Sequence, residues 1–162
     1  MGNIVTTRCR VVGPGEDVYK FASTFLWDDG KGFDFNKVIP VLKGPIDTCE
    51  TCYGWRKKHW ETGSNASEVD IISIDPLEFA FETAWYFPKP VLEKLAELYP
   101  SLTFYCACYD VGRSCSGKGY FSSKGIEPVF EYCDTTDEIY ELVYGYPRES
   151  DDADDEDDED DE

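Results

Sequence analysis

Residues 88–110, PKPVLEKLAELYPSLTFYCACYD, change their hydrophobic period once and abruptly. Val91, Leu92, Leu95, Leu98 and Tyr99 recur at helical spacing between prolines that open and close the stretch. From Leu102 the period falls to two. Leu102, Phe104, Cys106 and Cys108 alternate with Thr103, Tyr105, Ala107 and Tyr109, which predicts a strand buried on at least one side. A helix that passes this quickly into a strand has to share a core with it, so the chain is bound to a helix-on-sheet layer.

The beginning of the chain carries the same pair in the opposite order. Residues 4–12 are rich in β-branched side chains and end at GPG, which predicts a strand. Glu16 and Asp17 suit the positive end of a helix, and Val18, Phe21, Ala22 and Phe25 form its apolar stripe. FDFNKVIP, residues 33–40, predicts a packed extended connection, and residues 47–60 a short helix or an irregular insertion. Strands are expected over 69–74 and 77–85, with Leu77, Phe79, Phe81 and Trp85 on one face and Glu78 and Glu82 on the other. Beyond Asp110, VGRSCSGKG reads as a glycine-rich loop, YFSS and EPVFEYC as short strands, and TTDEIYELVYGY as a terminal helix or a final strand. Strand, helix, strand, strand, helix, strand is the split βαβ order. The expected class is therefore α+β: a ferredoxin-like sandwich, an antiparallel sheet with helices on one face. To it are added an insertion at about residues 44–66, extra C-terminal strands and an acidic tail.

The 162 residues suit one folded domain over 1–148, followed by ESDDADDEDDEDDE at 149–162. That run holds twelve acids and no base. With nothing to bury, it is expected to be disordered when free. The chain carries 34 acids against 15 Lys and Arg, net −19, and without the run 22 acids still face the 15 bases, net −7. Such a field repels phosphates and anionic headgroups and attracts basic surfaces, so direct binding to nucleic acid or membrane is not expected. Seven cysteines, an odd number, and an N-terminus without a signal-peptide core predict a cytoplasmic, reduced protein. MGNIVT matches an acylation pattern but lacks the basic second signal that stable anchoring requires, and the sequon at Asn65 is idle in that compartment.

Three stretches together have a familiar look. Phe33, Phe35, Asn36, Lys37, Ile39 and Pro40 come first; Trp60, Thr62, Asn65 and Ala66 follow; then Phe81, Thr83, Ala84, Trp85, Pro88, Pro90, Tyr99, Pro100, Leu102 and Phe104. In that order and spacing they resemble the signature segments of the YubB-type ferredoxin-like family encoded by bacteriophages and plasmids. The resemblance covers most of residues 1–145 and departs from the pattern at His59, Glu61, Gly63 and Ser64. It implies a ferredoxin-like fold and a mobile-element origin in a bacterial host, and carries no reaction or cofactor with it.

Among chemically suggestive residues, Cys49 and Cys52 have the spacing of half a zinc site, which Cys106, Cys108 and Cys115 would have to complete. No second CxxC exists, and alternation places Cys106 and Cys108 among ordinary core residues, so no metal and no cofactor are expected. A redox CxxC should open a helix after a βα turn, and a loop precedes this one. His59 is the only histidine and announces no triad. The loop around Lys118 lacks the order of a phosphate-binding loop.

These observations predict a non-enzymatic protein. Its partner is expected to be a basic host protein, itself nucleic-acid-binding, contacted by Asp151, Asp152, Asp154, Asp155, Glu156, Asp157 and Asp158 of the tail and by Trp55, Arg56 and Trp60 of the WRKKHW cluster. The alternative is an accessory interaction module of a mobile element, with a tail that serves solubility only.

Overall fold

A computed structural model of the chain describes residues 4–26, 33–40, 54, 56–62, 64–110, 116–122, 130–133 and 136–147. Strand β1, Ile4–Val12, buries Val5, Cys9 and Val11 at alternate positions, as its β-branched composition requires. Helix α1, Gly15–Phe25, follows, with Glu16 and Asp17 in its first turn and Phe21, Ala22 and Phe25 buried. Residues 33–40, expected to be extended, contain instead a 3-10 turn at Phe35–Lys37. Asp34 accepts the Asn36 amide and caps the turn, so the local side-chain bond overrides the alternating pattern.

Strands β2, Ser67–Ile74, and β3, Leu77–Ala84, form a hairpin through Asp75-Pro76, whose peptide bond is cis. Helix α2 is Lys89–Leu98, with proline in its first turn. It buries Val91, Leu92, Leu95 and Ala96, whereas Leu98, expected in the stripe, is exposed. Strand β4, Thr103–Asp110, then leads to β5, Ser116–Phe121, the two-residue β6, Glu131–Tyr132, and helix α3, Asp137–Tyr144. Part of the expected glycine-rich loop is therefore strand: Gly117 and Gly119 lie inside β5, while residues 111–115 fall outside the described set. The terminal segment, for which helix and strand were both open, is a helix because Thr136 caps it through the Ile139 amide and Gly145 ends it at φ 85°.

All strand pairs are antiparallel, and the sheet order is β2-β3-β1-β4-β5-β6. Because β3 runs against both β1 and β2, those two are parallel across it, which is the split βαβ core of a ferredoxin-like fold. Strands β5 and β6 extend it as the expected extra strands. Helices α1 and α2 cover one face. Their side of the core joins Phe21, Phe79 and Phe104 to a ring cluster in which Phe33 meets Phe35, Phe79 and Phe81 edge-on at 5.2–5.4 Å. Phe87, Phe121 and Phe130 form a second, stacked group under β5.

Helix α3 lies on the other face. Ile139 and Val143 pack on Ala107 and Tyr109, the positions of β4 that alternate with the main core, and the Tyr144 hydroxyl reaches the Thr6 hydroxyl at 3.2 Å. It covers only one end of that face and leaves the other open.

Candidate functional site

Two surfaces of the folded body are built to present side chains outward. The first is an aromatic knuckle where β3 meets α2. Trp85 has φ 70°, left-handed backbone that a bulky residue rarely adopts, and is 42% exposed; Tyr86 beside it is 47% exposed. Hydrogen bonds hold the knuckle from below. The Thr62 hydroxyl donates to the Ala84 carbonyl at 2.9 Å, the Ala84 amide donates to the Ser64 hydroxyl at 2.9 Å, and the Thr83 hydroxyl donates to the Tyr86 carbonyl at 2.7 Å. Backbone strain of this kind persists only where its surroundings over-determine it. The Lys57 ammonium lies 4.7 Å from the centre of the Tyr86 ring, and a shallow cavity of about 270 Å³ opens between Lys57, Glu61, Tyr86, Phe87 and Tyr132.

The same segment ties down the connection between α1 and β2. Asn65 accepts the Phe35 amide at 2.9 Å and donates to Asp34 at 2.8 Å, while the Trp60 indole N–H donates to the Ile39 carbonyl at 2.9 Å. Burial pushes the Asp34 carboxyl upward, but the hydrogen bonds from Asn65 and from the Asn36 amide and side chain, with the charge of Lys37, outweigh it and hold the group below its usual value. Trp60, Thr62, Asn65 and Asn36, which stand out in the sequence as motif residues, thus form the clasp beneath the knuckle.

The second surface is a groove of about 580 Å³ on the sheet face that α3 leaves uncovered. Cross-strand register arranges it in rows. Glu78, Arg10, Tyr105 and Tyr120 lie side by side on β3, β1, β4 and β5; Ala80, Arg8, Ala107, Lys118 and Glu131 form the next row, out to β6. Small Ala107 leaves a floor between Arg8 and Lys118. Arg8 is held by Glu78 at 3.2 and 3.3 Å, and Lys118 sits 3.5 Å from Glu138. Arg10 stacks over Tyr105 at 5.2 Å and has no ion pair among the described residues. The Tyr105 and Tyr120 rings are 5.7 Å apart. An acidic protein thus gathers three cations and two tyrosines in one open groove.

Of the residues expected to bind a partner, Trp60 is 1% exposed and packs edge-on against Phe35 at 5.4 Å, so it is a core residue and cannot reach a partner. Sequence reasoning took an aromatic residue beside lysines for a surface anchor, but the helical turn at residues 56–59 points Trp60 inward. Arg56 is half-buried on that turn. Trp55 and the tail residues Asp151, Asp152, Asp154, Asp155, Glu156, Asp157 and Asp158 lie outside the described residues, as do Cys49, Cys52 and Cys115. Cys106 and Cys9 face each other across β1 and β4, their sulfurs 3.5 Å apart in the core; burial, then the hydrogen bond to Cys9, pushes the Cys106 thiol well above its ordinary value. Among the described residues no group of three or more His, Cys, Asp or Glu side chains could hold a metal. Trp85, assigned from sequence to the buried face of its strand, leaves β3 and turns outward; only its left-handed backbone reveals this. The groove also escaped sequence reasoning, because its residues come from five separate strands.

Sheet order, split connection and helix layer define a ferredoxin-like domain. Residues 58–157, more than half of the chain, match the family model described as the ferredoxin-like domain in Api92-like protein, and the chain belongs to that family. The matched segment starts on the helical turn below the knuckle; β1, the strand at the centre of the sheet, precedes it. No curated protein and no solved structure matches the chain. Among the described residues no helix is long and apolar enough to cross a membrane.

Proposed function

We propose that this is a non-enzymatic, bacteriophage- or plasmid-encoded binding protein that acts in the cytoplasm of a bacterial host. There it engages a basic, nucleic-acid-binding host protein of defence or nucleic-acid processing and keeps that protein from its polynucleotide. The observation that carries the reading is charge: net −19, with twelve carboxylates in the last fourteen residues. Drawn out fully, such a run carries roughly one charge per 4 Å, close to the phosphate spacing along one DNA strand. A cationic cleft that accepts a polynucleotide accepts a comparable line of carboxylates, and long-range attraction speeds the encounter. The mobile-element origin is supported by the motif residues around Phe35, Trp60 and Trp85.

The test uses the full chain and a chain ending at Arg148 as baits in a bacterial host lysate, across a range of ionic strength. A captured basic protein is purified and loaded with labelled DNA or RNA. The full chain is expected to displace the nucleic acid in a salt-sensitive manner, and the shortened chain to do so at least about tenfold less well. Equal displacement by both chains overturns the proposal.

A second reading, an accessory interaction module whose tail serves solubility, is favoured by the knuckle, where an exposed Trp85 and Tyr86 are held rigidly next to Lys57. Aromatic and arginine side chains dominate binding hot spots. In that case Trp85→Gly abolishes capture and loss of the tail does not.

A further inference from the structure

We propose that the sheet-face groove is the docking site for the chain's own acidic run, residues 149–162. The chain leaves α3 beside this groove. Leu142 lines its rim, and Gly145 is so close to Arg8 that a Cβ there would lie 2.9 Å from the guanidinium nitrogen Nη1. Gly145 therefore ends the helix in left-handed backbone and also gives Arg8 room. Tyr146 rests on Tyr140 and Tyr144, and from Pro147, the last described residue, four residues lead to Asp151, a reach of up to roughly 14 Å. Arg10 lies about 7 Å along β1 from Arg8, and Lys118 lies two strand spacings, roughly 10 Å, to the side. The first acids of the run can thus reach every cation of the groove.

Charge selects the row. Arg8 is occupied by Glu78, and Lys118 has Glu138 near it and Glu131 opposite it in register, so those two cations are largely compensated. Of the groove's three cations Arg10 alone makes no ion pair among the described residues, with Glu78 opposite it in register already bonded to Arg8, and it shares its row with the Tyr105 and Tyr120 rings, whose hydroxyls can donate to a carboxylate. A carboxylate run lying across Arg10, Tyr105 and Tyr120 meets a guanidinium that holds no ion pair and two phenols, with Glu78 at the far end of the row engaged by Arg8 and Glu131 in the next row. The short tether gives the run a local concentration in the millimolar range, so a contact too weak to hold a free peptide is still populated in the intact chain. Docking stands on the groove alone. Its regulatory consequence rests on the proposed competition for a basic partner: the run is held against the body until a stronger cationic cleft draws it out.

The test compares the amide spectra of the full chain and the chain ending at Arg148 by NMR at low ionic strength. Signals of Arg10, Tyr105, Lys118 and Tyr120 are expected to differ between the two, and a synthetic 149–162 peptide added to the shortened chain is expected to move them back toward the full-chain positions. Arg10→Glu with Lys118→Glu should weaken that peptide at least about tenfold and give the full chain the groove spectrum of the shortened one. Both residues are exposed, so these substitutions leave the core intact. The neutral pair Arg10→Gln and Lys118→Gln should act in the same direction to a smaller extent. Identical groove signals in the two chains, or shifts centred on Lys57 and Tyr86 instead, overturn the proposal. So do shifts that grow with protein concentration, which would place the run in another copy's groove. Loss of nucleic-acid displacement on truncation, without any groove shift, would leave the proposed function standing and remove the docking.

Discussion

Two tryptophans have fates opposite to those their sequence surroundings suggest. Trp60 sits beside three basic residues and is buried to 1% exposure; Trp85 follows an apolar strand and is 42% exposed. Trp60→Ala should therefore cost about 3–5 kcal/mol, read as a fall in the urea midpoint, since it removes the ring that meets Phe35 and the bond to the Ile39 carbonyl. Trp85→Gly should leave that midpoint within about 1 kcal/mol, because glycine adopts φ 70° freely and relief of strain offsets the packing lost. Asp34 supplies a pH dependence of definite sign. Its folded-state value lies below the ordinary 3.8, so the carboxylate form stabilises the fold above the unfolded value, and that contribution is lost as pH falls through the folded one. The denaturation midpoint of the wild-type chain should drop more steeply below about pH 4 than that of Asp34→Asn. At neutral pH, Asp34→Ala should cost about 1 kcal/mol through the lost cap.

At the scale of elements, the outer strand β6 is matched to β5 by the absence of a side chain at Gly117. Gly117 of β5 has the Glu131 carbonyl and the Phe130 ring so near that a Cβ would meet both at 2.9 Å. Gly117→Ala should separate β6 from β5 and destabilise the fold by about 1–3 kcal/mol, with faster amide exchange at Tyr132 and Cys133 as the local readout. At the opposite edge, β2 shifts register between Ser67 and Asp70, and Glu68 has φ 48°. A bulge and exposed acids of this kind discourage pairing with a further strand. Helix α3 shows where periodicity stops being informative. Its eight residues carry a cap and an apolar stripe, enough for a helix, but nothing in them says which sheet face they cover. That choice belongs to β4, whose Ala107 and Tyr109 offer an apolar patch on the side away from α1 and α2.

The whole molecule separates into a body whose two cores end at Val143 and a charge carried mostly beyond it. A chain ending at Arg148 should therefore melt within about 2 °C of the full chain at physiological ionic strength, a comparison that calorimetry makes directly. A larger fall would show that the acidic run supports the body as well as any partner.

The periods and punctuation of the sequence determined the ferredoxin-like order, because alternation, helical spacing, capping residues and prolines are local facts that the chain carries wherever it goes. Ile4–Val12 and Lys89–Leu98 were legible for that reason, and so was the charge, which is a sum and needs no geometry. Only the tertiary structure decided which side chains face water and which meet. The inward turn of Trp60, the left-handed backbone of Trp85 and the row of Arg10, Tyr105 and Tyr120 depend on hydrogen bonds and register between segments far apart in sequence. A surface assembled from several strands has no local signature, because its residues become neighbours only when the sheet closes its ladder.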